Sequence, residues 1–151
     1  MTTTTNEIRR LTVTWLEPGS LKGVLTTTNH RVIGIRYIVT GMVFFVLAGF
    51  AGILMRIQLA FPESTFLNAE LYNQLFTMHG ATMMFVFAVP IMQGIAIYLV
   101  PLQIGARDVA FPRLNAFAYW AYLFAGVALW LTLFAGVAPN GGWFNYVPLT
   151  D

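Results

Sequence analysis

Three long stretches of the chain lack the alternation of apolar and polar residues that a half-buried helix or strand shows in water. The first runs from Tyr37 to Met55, where every residue is apolar or small apart from Thr40. As a helix rising 1.5 Å per residue it reaches roughly 29 Å, the thickness of the hydrocarbon core of a bilayer. The second runs from about Phe76 to Leu102, interrupted by His79, Pro90 and Gln93. The third, from about Ala116 to Ala138, holds no charged residue and stops at the breakers Pro139, Asn140, Gly141 and Gly142. The pattern predicts an all-α integral membrane protein of three transmembrane helices. Pro90 removes a backbone donor inside the second span, which predicts a kink and a carbonyl near Val86 that another group must satisfy. Ala48 and Gly52 put two small residues on one face of the first span, which suits close helix packing.

Composition agrees with the spans. The 151 residues are 58% hydrophobic and 9% charged, about a third of the charge a soluble domain carries, so the apolar excess must face lipid. The absence of cysteine excludes disulfides, thiolate metal sites and covalent attachment of a c-type haem. A net charge of +2, without a basic run, gives no reason to expect a nucleic-acid partner. The start, Met1 to Thr5, is polar and threonine-rich, and no cleaved secretory signal is expected.

Orientation follows from arginine and lysine, which are retained on the cytoplasmic side in short connecting segments. Arg9, Arg10, Lys22, Arg31 and Arg36 precede the first span, and Arg107 and Arg113 lie between the second and third. Seven of the eight basic residues therefore fall on one side, and the N-terminus is expected to be cytoplasmic. Residues 1–32 read as a cytoplasmic N-terminal segment and 33–151 as a single three-helix unit, with no repeat or second domain.

One residue inside the spans demands a chemical reason. His79 lies about one turn into the second span, where an ionisable side chain is expensive unless partnered. Two readings fit: a neutral imidazole bonded to a carbonyl on a neighbouring helix, or an axial ligand of haem iron, with Gly80 letting a flat macrocycle approach the backbone. Met83 shares the face of His79 but cannot take the opposite side of the same iron. His30 is placed near the other membrane surface, so a second axial ligand must come from outside this chain. Met78, Met83, Met84 and Met92, with Phe85 and Phe87, read as core filling. Trp120, Trp143 and Tyr146 suit interfacial belts, whereas Trp130 lies inside a span.

Longer motifs name a family. Tyr-Asn-Gln-Leu-Phe-Thr-Met-His-Gly, Tyr72 to Gly80, resembles the haem-ligand helix of subunit I in haem-copper oxygen reductases. Val-Pro-Leu-Gln-Ile-Gly-Ala-Arg-Asp-Val-Ala-Phe-Pro-Arg-Leu-Asn, Val100 to Asn115, matches the loop after that helix nearly word for word. The resemblance extends from Asn29-His30-Arg31 to Gly141–Leu149. Family subunits have roughly twelve spans, so this chain resembles the N-terminal portion of one.

The resemblance implies roles residue by residue. His79 aligns with an axial ligand of the low-spin haem, and Arg56 with the arginine that reaches a peripheral formyl group where that haem is haem a. An interfacial arginine snorkelling to headgroups is the alternative for Arg56. Trp143 aligns with a tryptophan near the haem propionates, with interfacial anchoring as its alternative. Asp108 aligns with the entrance carboxylate of a proton-uptake channel and Asn115 with an asparagine that orders water inside it. Two positions depart from the family pattern: Ile97 stands where many members have a further channel asparagine, and Gln58 where mitochondrial-type members have a glutamate. The resemblance also implies that the ligands of the high-spin haem and copper lie in parts of the subunit other than these residues, so no complete oxygen site is expected here.

The expected function is that of part of a terminal respiratory oxidase in the inner membrane of a prokaryote. It would reduce oxygen to water with electrons from cytochrome c, coupled to proton uptake and pumping. Its partners would be the rest of subunit I, the other oxidase subunits and the electron donor. A quinol oxidase, or a haem-free structural or assembly protein derived from the family, are the alternatives.

Overall fold

The computed structural model describes Glu7 and residues 20–147, so Met1–Thr5, Arg9, Arg10, Pro148 and Leu149 lie outside the described residues. All regular structure among the described residues is helical: α1 (Leu21–Thr26), α2 (His30–Gln58), α3 (Ala69–Ala81), a π-helical segment (Thr82–Ala88), α4 (Val89–Gln103) and α5 (Pro112–Phe134). The α3, π and α4 segments run on as one helix from Ala69 to Gln103, and this, α2 and α5 are the three helices long and apolar enough to cross a membrane.

Hydropathy located the spans but not their ends, because caps decide where a helix starts and stops. The first helix begins at His30 because the Asn29 side chain accepts the N–H of Arg31 at 3.0 Å, which keeps the polar turn before Tyr37 helical. Asn68 does the same for the second, accepting the N–H of Leu71 at 2.7 Å. The third ends at Phe134, four residues short of the expected Ala138. Gly136 takes φ +71°, its N–H bonds to the Leu133 carbonyl at 3.2 Å, and the N–H of Val137 reaches back to Thr132 at 2.9 Å. Those two bonds form a Schellman stop, which needs the left-handed conformation glycine adopts without strain. The same device ends α4, with Gly105 at φ +68° and the N–H of Ala106 on the Pro101 carbonyl at 2.8 Å.

His30 Nδ1 lies 3.3 Å from Asp108 Oδ1, so the start of α2 and the α4–α5 loop share one end of the bundle. That end carries Arg31, Arg36, Arg107 and Arg113, in agreement with the side assigned by charge. At the other end Gln58 clamps the α2–α3 loop, donating to the Ser64 carbonyl at 2.6 Å and accepting the N–H of Leu67 at 2.7 Å.

The α2 helix packs most extensively against α4. At their crossing a Cβ on either Gly34 or Gly94 would lie 2.8 Å from the carbonyl oxygen of the other, so only glycine permits the backbones to meet. One core cluster gathers Phe44, Ala48, Met78, Val86 and Trp130, and a second gathers Ile33, Tyr37 and Tyr119 with Ile97 packed against it. Met78 and Met83 fill the core as expected, but Met84, Phe85 and Met92 are exposed on the helix surface, where lipid or other protein would meet them.

The break at Pro90 takes the form of the π-helical segment. Widening by one residue per turn lets the N–H of Val89 bond to the Met84 carbonyl. The carbonyl at Val86, which Pro90 cannot serve, accepts instead from the Tyr122 hydroxyl of α5 at 2.8 Å. Removing that hydroxyl with Tyr122→Phe keeps the ring stacked on Tyr37 but strands the carbonyl. The assembled protein is expected to lose about 1 kcal/mol of stability, at the lower end for a bond inside a membrane, measured as a lowered denaturation midpoint.

Candidate functional site

The α2 and α3 helices each present a stripe at helical spacing. Gly49, Gly52, Ile53 and Arg56 lie on one face of α2, and Tyr72, Phe76 and His79 on one face of α3. Between the stripes lies an apolar groove of about 660 Å³, lined by these residues with Met55, Ile57, Leu59 and Ala60. A site of this size with one nitrogen ligand and one cation suits a flat, largely apolar ligand bearing a polar edge.

The half-buried His79 is fixed across the helix pair, with Nδ1 2.8 Å from the carbonyl oxygen of Ala48. A carbonyl can only accept, so Nδ1 carries the hydrogen, and in the neutral ring Nε2 keeps its lone pair for another partner. The residue at 52 makes this contact possible. In a helix the carbonyl at 48 lies beside the side chain at 52, and a Cβ there would sit 3.1 to 3.2 Å from the imidazole. The carbonyl reading of His79 is the one observed, and the bond that satisfies the ring leaves the tautomer and orientation that metal coordination uses.

Gly80 does not serve the groove. A Cβ on it would meet Trp143 at 3.2 Å, so the indole of Trp143 covers Gly80, and the glycine facing open space in the groove is Gly49. Trp143 itself stands outside the groove lining, held close because the N–H of Gly142 donates to the buried Thr77 hydroxyl at 2.8 Å. Arg56 lies four residues, about 6 Å of helix rise, beyond Gly52. It is exposed in the last turn of α2, where the helix dipole also favours a cation.

A second cluster occupies the basic end. Asp108 accepts the N–H of Val109 at 2.7 Å and faces the buried His30. The His30–Asp108 approach lacks hydrogen-bond geometry, and both ring nitrogens of His30 and the Nδ2 of Asn115 are buried without a partner. Buried polar atoms of this kind are ordinarily satisfied by water. Sequence reasoning set His30 aside because it was weighed only as a haem ligand; its place beside Asn29, the cap of α2, was the missed signal that it begins a buried helix. Among the described residues no group of three or more His, Cys, Asp or Glu is placed to hold a metal ion, so His79 would bind as a single ligand.

Residues 32–151 match the family model described as Cytochrome C and Quinol oxidase polypeptide I. A probable cytochrome c oxidase subunit 1-alpha of Streptomyces avermitilis is 50% identical over 128 residues, which are 84% of this chain and 22% of that protein. The heme-copper oxidase subunit I+III of Aeropyrum pernix is 50% identical over 127 residues, 83% of this chain and 16% of its own length. The cytochrome c oxidase subunit 1 of Bacillus subtilis is 48% identical over 126 residues, 83% of this chain and 20% of its own length. The chain therefore spans about a fifth of the length of the curated relatives it matches. With three membrane-spanning helices and a match across nearly all of them, the chain belongs to the haem-copper oxidase subunit I family.

Proposed function

We propose that this chain supplies the first three spans of the haem-bearing subunit of a terminal oxidase that reduces oxygen to water with electrons from cytochrome c. The observation that carries this reading is His79, bonded through Nδ1 to the Ala48 carbonyl and lining a groove it shares with Arg56. A low-spin haem bound there would supply one-electron transfer at a potential set by its ligands and surroundings. His79 would offer Nε2 to the iron, with the Ala48 carbonyl raising the basicity of the ring. Gly49 leaves room for a macrocycle, Gly52 admits the imidazole, and Ile53 and Phe76 would help to exclude water. Arg56 would place a cation at the haem edge, and beside a formyl carbonyl, as in haem a, its guanidinium would withdraw electron density. Trp143, packed on Gly80, would close the outer side toward the propionates. The second axial ligand, the high-spin haem and the copper would be held by the remainder of the subunit.

Asp108 and Asn115, at the basic end, would collect protons and order water on the cytoplasmic side. The location that follows is the inner membrane of a prokaryote, with the other oxidase subunits as partners. A quinol donor is the second reading, favoured by a family model that spans both donors. Oxidation of cytochrome c, and not of quinol, by the purified complex distinguishes the two. A haem-free scaffold derived from the family would give no sharp reduced alpha band.

In the whole oxidase complex, His79→Leu is expected to abolish the low-spin haem spectrum. A folded variant with that spectrum unchanged refutes the ligand assignment.

Arg56→Met is expected to keep the haem, move its alpha band to shorter wavelength and lower its midpoint potential, both read by spectroelectrochemistry. Parental values for both leave Arg56 as a membrane-surface anchor.

Asp108→Asn preserves the acceptor for Val109 but removes the ionisable site. Haem content is expected to survive while oxygen consumption falls at least about tenfold, less than the ~10²-fold or more that a placed proton donor or acceptor in the reaction itself contributes. Proton release by the complex in vesicles should fall with it.

A further inference from the structure

Between the basic end and the middle of the bundle, Asn115 and Tyr119 stand one turn apart on α5, and Thr40 faces Tyr119 from α2. The hydroxyls of Tyr119 and Thr40 lie 3.0 Å apart across the two helices. Tyr119 is buried while Thr40 is half-open, so the pair joins the interior of this bundle to a side that can receive water or further protein. One turn toward the basic end, Asn115 Nδ2 is buried with no partner, which calls for a water between it and its surroundings. Ile97 packs against the same cluster from α4. Its side chain is apolar, but Pro101 lies four residues on and cannot give the Ile97 carbonyl its regular helical donor. A buried amide and, one turn further in, two bonded hydroxyls therefore follow one another along α5, where hydrocarbon would select against each of them.

We infer that the Tyr119–Thr40 hydroxyl pair is the station that carries ordered water and protons inward from Asn115, taking the place of the polar side chain that Ile97 does not provide. The inference rests on the proton-uptake reading of Asp108. A hydroxyl that takes a proton on a lone pair from the water at Asn115 releases its own O–H proton through its partner to a water on the half-open side, so charge passes and each hydroxyl ends neutral. Either member of the pair can donate to the other, and the second then keeps a hydrogen for a water on the half-open side. Arg36 has its guanidinium 5.9 Å from the centre of the Tyr119 ring and is also bonded to the Val24 carbonyl, which anchors its charge toward the basic end. Tyr119 and Thr40 relay protons and are not catalytic residues: neither lines the groove beside His79.

The experiment compares the whole complex in vesicles with its Asp108→Asn, Tyr119→Phe, Thr40→Val and Tyr119→Phe/Ile97→Asn variants, reading oxygen consumption, proton release per electron and the haem spectrum. Tyr119→Phe and Thr40→Val are each expected to slow oxygen consumption about two- to tenfold, the range one net hydrogen bond corresponds to, with the haem spectrum unchanged. Adding Ile97→Asn to Tyr119→Phe is expected to return both rates toward the parent, which a packing role for the phenol would not do. If Asp108→Asn is slow and Tyr119→Phe is not, the hydroxyl pair carries no protons and the Asp108 reading stands. If Tyr119→Phe is slow without rescue, the inference is overturned in favour of packing. Parental behaviour of Asp108→Asn overturns the uptake reading and this inference with it.

Discussion

Hydrocarbon offers no hydrogen bonds, and every departure of this chain from a regular helix is built around that constraint. Where Pro90 leaves Val86 without a donor, the helix widens and Tyr122 reaches across from α5. Where an imidazole enters the span, it takes the second lone pair of the Ala48 carbonyl, which already serves its own helix. Each repair joins two helices, so satisfying the backbone and fixing the bundle are one event. The glycines belong to the same logic, because a carbonyl can be borrowed by a neighbour only where no side chain covers it, as at Gly52.

Much of this was legible in the residues. Continuous apolar stretches locate three spans because lipid removes the need for a polar face, and the stranded carbonyl at Val86 follows from proline chemistry alone. The donor that answers it was not legible, since Tyr122 is distant in sequence and one tyrosine among several gives no hint of its partner. Helix ends were misplaced because hydropathy reports where lipid is, whereas Asn29, Asn68 and Gly136 report where the backbone turns.

The site divides in the same way. The residue that needed a partner was visible in His79, an ionisable group in an apolar run. The wall it faces was assigned to the wrong glycine: Gly80 adjoins His79 in sequence but is covered by Trp143, and the open surface belongs to Gly49 on the other helix. Sequence adjacency is a poor guide on a helix, where neighbours point about 100° apart. His30 was undervalued for a related reason, because its contact with Asp108 links residues far apart along the chain.

The bond from Gly142 to Thr77 has a consequence in time as well as space. A membrane chain is made from its N-terminus, so α2 and α3 can meet, seat the imidazole on the Ala48 carbonyl and form the groove before the third span has been synthesised. The indole that covers Gly80 follows α5, and arrives only when the tail docks on Thr77. Imidazole and floor thus precede the cover, so the groove stays open on its outer side until the tail has docked.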